Sequence, residues 1–168
     1  MEGKNIILCG SDAVFKTTVA NLLSKELGYP IVKGSDFESA TKPQNQLFNF
    51  FMSKIKGEPK IIDRFIYSNL VYTELFPEYT RISNEQKNYI EGKMSANSIV
   101  IYLTASPETI ISRLEERGDE YIEGKDIASI LEIYEKVMFN AKKNGVQVLE
   151  FDTDYYSSKD IVKELVNK

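Results

Sequence analysis

The stretch "NIILCGSDAVFKTTVANLLSKELG", residues 5–28, decides the fold. Asn5 to Cys9 is an apolar run of strand length. From Lys16 to Leu27 the residues Val19, Leu22, Leu23 and Leu27 fall on one helical face, and Gly28 ends it. Between strand and helix, Gly10, Lys16 and Thr17 stand at the spacing Gly-x-x-x-x-Gly-Lys-Ser/Thr. In such a turn, backbone N–H groups and a helix N-terminus surround phosphates, the lysine neutralises their oxygens and the hydroxyl ligates Mg²⁺. One position departs: Phe15 stands where the second glycine normally lets the backbone approach the phosphate closely. The plain alternative is a strand-turn-helix with a chance Lys-Thr pair, so the neighbouring sequence must decide.

Outward from that stretch, apolar runs of strand length alternate with longer segments of helical period, the pattern of an α/β domain with a parallel sheet. Further strands are expected at Tyr29–Val32, Lys60–Asp63, Ser98–Leu103 and Val146–Phe151. Helices are expected over Leu47–Ile55, Phe65–Phe76, Ser83–Ala96, Ser106–Arg117, Ile127–Lys143 and Ser157–Val166. Ser106 reads as an N-cap with Pro107 in the first helical position. "KGSDFESATKP" is a polar loop after the second strand, and "RGDEYIEGKD" a mobile flap. Five parallel strands and about seven helices make one three-layer α/β/α sandwich.

The bulk numbers agree. A chain of 168 residues fits one domain, enough to bury roughly 70% of its unfolded surface. Twenty-one Lys and Arg against twenty-five Asp and Glu leave a formal charge of −4. No global positive field therefore draws in DNA, RNA or anionic lipid, and an anionic substrate needs a local cluster. Cys9 is the single cysteine and there is no histidine, which excludes a disulfide framework, a Cys/His zinc site and every His-based triad. Cys9 reads as a buried strand residue. No apolar run approaches the 18 residues of a membrane span, so the expectation is a cytoplasmic protein without membrane contact.

A second phosphate-handling corner lies at "IIDRFIYSNLVY", residues 61–72. It puts Asp63 at the C-terminal end of a buried strand, where open α/β sheets bind ligands, with Arg64 beside it. A carboxylate there holds Mg²⁺ through water, and an arginine offers a planar fork to phosphate. The alternative is a strand-end ion pair in a surface loop.

At these residues the chain resembles the thymidylate kinases of the P-loop nucleoside monophosphate kinase group. Their Gly-x-[Asp/Glu]-x-x-Gly-Lys-[Ser/Thr]-Thr is matched by Gly10, Asp12, Lys16, Thr17 and Thr18. Their Asp-Arg-Tyr-x-x-Ser-x-x-x-aromatic signature is matched by Asp63, Arg64, Ser68 and Tyr72, with Phe65 for the tyrosine. "IYLTASPETIISRLEERG", residues 101–118, resembles the strand and helix that lead into an arginine-bearing lid, here at about 113–126. The resemblance implies a P-loop kinase fold and ATP- and Mg²⁺-dependent phosphorylation of a deoxynucleoside monophosphate, dTMP or a related pyrimidine. It also implies roles. Asp12 bonds the sugar 3′-hydroxyl, Arg64 grips the 5′-phosphate, and Tyr72 lies against the base. Thr17 and Asp63 serve Mg²⁺, and Arg113 and Arg117 close over the transferred phosphoryl beside Lys16. Members commonly pair as homodimers. Phosphoryl transfer of this kind rests on positioning and charge neutralisation, so the missing histidine is no obstacle.

The departures leave rivals open. The family's Arg-Glu-Pro is replaced by "VKGSDFES", where Lys33 is the candidate for the lost positive charge. Phe48 and Phe51 are candidates for base stacking or plain core residues. A deoxynucleoside kinase acting on the 5′-hydroxyl is the nearest rival, with Asp36 or Glu38 as base. A binding module that has lost turnover through Phe15 is the second, and a kinase for a small metabolite the third.

Overall fold

The strands β1 (Asn5–Cys9), β2 (Ile31–Lys33), β3 (Ile61–Asp63), β4 (Ser98–Thr104) and β5 (Val148–Asp152) form one sheet in the order β2-β3-β1-β4-β5. Every neighbouring pair is parallel. This computed structural model describes residues 1, 3–118 and 124–167. Eight helices accompany the strands among them: α1 (Lys16–Leu27), α2 (Phe37–Ala40), α3 (Gln44–Lys54), α4 (Ile66–Leu75), α5 (Asn84–Asn97), α6 (Pro107–Arg117), α7 (Gly124–Lys143) and α8 (Ser158–Val166).

The continuous apolar runs of β1 and β4 follow from cover on both faces of the sheet. Alternate residues of β1 point opposite ways. Ile6 and Leu8 enter a core with Val19 and Leu23 of α1, Ile110 of α6 and Ile161 of α8. Ile7 and Cys9 enter the other core, with Phe51 of α3, Ile66 and Tyr67 of α4 and Tyr134 of α7. The three-layer sandwich and the buried Cys9 are as expected. Among the described residues no helix is long and apolar enough to cross a membrane.

Some boundaries differ, each for a local reason. β2 starts at Ile31, since Pro30 has no N–H to give, although its carbonyl accepts from the Ile61 amide at 2.9 Å. β5 starts at Val148, because the Val146 amide turns back to the Ala141 carbonyl (3.1 Å) to close α7. The loop after β2 contains α2, nucleated by a reciprocal cap in which Asp36 accepts from the Ser39 amide and Ser39 from the Asp36 amide. α7 starts at Gly124, within the stretch expected as a flap; residues 119–123 of that flap, and so part of the expected lid at 113–126, lie outside the described residues.

Candidate active site

The turn between β1 and α1 has the backbone of a phosphate loop. Gly10 takes φ 142°, and a Cβ there would sit 2.2 Å from the Leu103 carbonyl oxygen, so this position admits glycine alone. Phe15 takes φ 66° and ψ 20°, the left-handed conformation that a glycine would supply, and its carbonyl accepts from the Val19 amide to start α1. Ala13 is left-handed as well, at φ 59°. For non-glycine residues this costs roughly 1–2 kcal/mol each. Phe15 is 39% exposed, and the face of its ring lies under the Arg113 guanidinium, 4.1 Å from ring centre to Cζ.

Lys16 is buried, and its ammonium donates to the Ser11 carbonyl. Burial brings its pKa down to about 7; Arg64 repels it further, while Asp12, Asp63 and Cys9 oppose the shift. Thr17 and Thr18 follow on the first turn of α1, exposed.

The second corner closes on the first. Asp63 ends β3, and Arg64, at φ 61°, gives its amide to the Leu8 carbonyl at 2.9 Å. A Cβ on Gly34 would come within 2.0 Å of the Arg64 carbonyl oxygen, so the chain after β2 must carry glycine for Arg64 to pass. Arg64 Nη2 meets Asp12 Oδ1 at 2.5 Å, and the guanidinium lies 5.6 Å from the Tyr72 ring centre. Asp63 Oδ1 is buried without a hydrogen-bond partner among the described residues.

Asp12, Phe15, Lys16, Thr17, Thr18, Asp63, Arg64, Arg113 and Arg117 line one cavity of about 510 Å³. Among the described residues, the three non-glycine residues with positive φ, Ala13, Phe15 and Arg64, all line it. Strained backbone gathered at one cavity makes it the candidate functional site. A groove of about 370 Å³ between α1 and α8, lined by Leu22, Glu26, Lys159 and Val162 among others, shares no residue with it.

Other candidates stand apart. Lys33 is exposed at the end of β2 and does not line the cavity; Tyr72 reaches it through Arg64. The Asp36 carboxylate caps α2 and Glu38 pairs with Lys42 in solvent. Phe51 is core, and Phe48 packs beside that core, edge-on to Tyr89 at 5.9 Å. Arg113 is committed to protein partners: the Ala13 carbonyl (3.0 Å), Thr153 Oγ1 (2.9 Å) and the Thr153 carbonyl (3.0 Å). Two residues carried no sequence signal for the site. Tyr134 donates its buried hydroxyl to the Gly10 carbonyl (3.1 Å) and meets Ser68 Oγ at 3.2 Å, yet its position reads as part of an apolar face. Thr153 is the other, bound to Arg113.

Comparison with known proteins places this geometry. The family model described as deoxynucleoside kinase matches residues 37–168. The SPbeta prophage-derived uncharacterized protein YorR of Bacillus subtilis is 50% identical over 161 residues, 96% of each chain. The crystal structure of YorR in complex with phosphorylated GDP superposes with a TM-score of 0.92 at 49% identity, covering 98% of this chain and 94% of that one. The deoxyguanosine kinase of Bacillus subtilis is 25% identical over 176 residues, 88% of this chain and 84% of that one. A thymidylate kinase from Candida albicans, at 16% identity and a TM-score of 0.58 over 98% of this chain and 90% of its own, shares the fold and no more. The specific thymidylate kinase resemblance is thereby reduced to a common architecture. What the matched residues and the YorR likeness establish is that this chain, a P-loop kinase in fold, belongs to the deoxynucleoside kinase family.

Proposed function

We propose that the chain is a single kinase domain, its lid at about 113–126, that transfers a phosphoryl group from ATP to a deoxynucleoside 5′-monophosphate. The carrying observation is the pairing of two anion-handling corners across one cavity: Lys16 with the N-terminus of α1 on one side, Arg64 on the other. Lys16 and the loop amides take the donor phosphates, and Arg64 takes the acceptor phosphate by exchanging its Asp12 partner for it. Asp12, so released, is placed for a sugar hydroxyl. The left-handed backbone at Arg64 fixes its fork before the substrate arrives, which lowers the ordering cost at the reacting end.

Mg²⁺ fits the residues present. Asp63 Oδ1 lacks a partner, Thr17 stands on the first turn of α1, and no cluster of three or more acidic or sulfur ligands occurs among the described residues. That donor set suits an ion that shares its ligands with a triphosphate. Bound there, the ion would neutralise charge on the transferring group. Thr17 and Asp63 are the residues to hold it.

The YorR complex with phosphorylated GDP supports trying a guanine acceptor first, ahead of the pyrimidines that the motifs alone suggest. A second reading, a deoxynucleoside acceptor, is favoured by the family match and by the unpartnered Asp63 oxygen, which could receive a hydroxyl proton. The test is a panel of dGMP, dAMP, dTMP, dCMP and dUMP beside the matching nucleosides, with ATP and Mg²⁺, scored for product. Arg64→Ala is run in parallel. Diphosphate formation that falls about 100-fold or more in kcat/KM with Arg64→Ala is the expected result. Turnover of nucleosides alone, indifferent to Arg64→Ala, would establish the second reading in its place.

A further inference from the structure

Ala13 and Phe15 both hold a left-handed backbone without being glycine, and one side chain touches both. Arg113 Nη1 donates to the Ala13 carbonyl at 3.0 Å, and its Cζ lies 4.1 Å from the Phe15 ring centre. The guanidinium is itself braced on the sheet. Its two nitrogens donate to Thr153 Oγ1 and O at 2.9 and 3.0 Å, and the Thr153 amide and hydroxyl both bond the Thr104 carbonyl at the end of β4, at 2.7 and 2.9 Å. A bulky left-handed residue is a genuine outlier that persists only where its surroundings over-determine it. A guanidinium stacked on an aromatic face is an attraction of the size needed to offset that outlier.

We infer that Arg113 is a positioning residue for the phosphate loop: its stacking on Phe15, together with its bond to Ala13, performs the conformational task that glycine performs at this position elsewhere. The loop is then set from α6, and Arg113 acts on the donor site through the loop and not by touching the transferred phosphoryl. This rests on the reading above that the loop grips the donor phosphates. It explains why an aromatic residue is compatible with a working loop here: the side chain that makes the backbone unfavourable also supplies the surface that holds it.

The test is a cycle in the full chain with Arg113→Met, Phe15→Gly and the double variant, plus Phe15→Leu, which keeps the backbone cost and removes the aromatic face. Amide hydrogen exchange at residues 13–17 reports the loop without any ligand, and calorimetry reports ATP affinity. Arg113→Met is expected to speed exchange there and to weaken ATP by about tenfold each, with the loss falling on the KM for ATP more than on kcat. Phe15→Leu is expected to reproduce about a threefold part of both effects. In the Phe15→Gly background, Arg113→Met is expected to change either by less than about threefold. Equal effects of Arg113→Met in both backgrounds overturn the inference. So does a loss confined to kcat, which would make Arg113 a catalytic residue. Should Arg113→Met not fold, unchanged loop exchange in Phe15→Leu overturns it. A wild-type chain that binds no ATP would refute the donor-site reading, while the exchange cycle would still decide the coupling.

Discussion

The Asp12 carboxylate sits 2.5 Å from the Arg64 guanidinium, so the fork that is suited to a substrate phosphate already holds an anion of its own. Under the proposed function, binding there is an exchange of partners. Asp12→Asn keeps the shape and removes the competing charge. Because both side chains are partly open to solvent, the gain is modest: inorganic phosphate should bind about threefold to fivefold tighter, as calorimetry would show. Equal or weaker phosphate binding would mean that the pair does not compete.

The buried Lys16 makes the free protein's stability rise with pH. Its pKa is about 7 in the folded chain against 10.5 for an ordinary lysine. Below about pH 7 the ammonium is charged in both states and its burial cost is fully present. Between 7 and 10.5 the unfolded chain binds the extra proton, so unfolding becomes less favourable as pH climbs. A phosphate beside the lysine restores its charge. Donor binding at pH 8 should therefore be accompanied by a net uptake of protons, read from calorimetry in two buffers of different ionisation enthalpy. Lys16→Met should abolish that uptake and the affinity, yet raise the melting temperature by about 2–4 °C.

Asp36 separates a cap from a base. Its carboxylate accepts from the Ser39 amide at 2.7 Å, and this bond holds its pKa below the usual range. Asp36→Ala should cost about 1 kcal/mol, at most, in urea unfolding, and change turnover by less than about threefold. A loss of 100-fold or more in kcat, the size expected for a general base, would assign it the proton transfer of a nucleoside kinase.

Tyr134 joins α4 to the loop between β1 and α1 through its hydroxyl, with bonds to Ser68 and to the Gly10 carbonyl. Burial keeps the phenol well above its usual range, so it remains a neutral donor. Tyr134→Phe should lower stability by about 1 kcal/mol and raise the KM for ATP. Ser68→Ala, which spares the Gly10 bond, should leave that KM nearer the wild-type value. Steady-state kinetics on both variants would check the order.

The architecture was legible because periodicity is a local signal: the buried runs of β1 and β4 and the Ser106-Pro107 start of α6 are where the sequence puts them. The two loops that bring Lys16 and Arg64 to one cavity were legible from residue type and spacing. The rest depended on contacts between distant segments. Nothing around Lys33 says that Gly34 must let the Arg64 backbone through. The partners of Arg113 lie just after β5 and in the loop, so a motif that reads it as a lid arginine has no access to the bonds that occupy it. Phe15 looked like a defect because its compensation is 4.1 Å away in space and on another helix.

α7 gives Ile127 and Leu131 to one interior and Ile130, Tyr134, Met138 and Ala141 to the other. Peeling it away would wet both sides of the sheet together, so its detachment is tied to the opening of the whole molecule and not to a local fluctuation. The helix is thereby a fixed spine. Rearrangements that accompany a catalytic cycle have to be absorbed in elements other than α7.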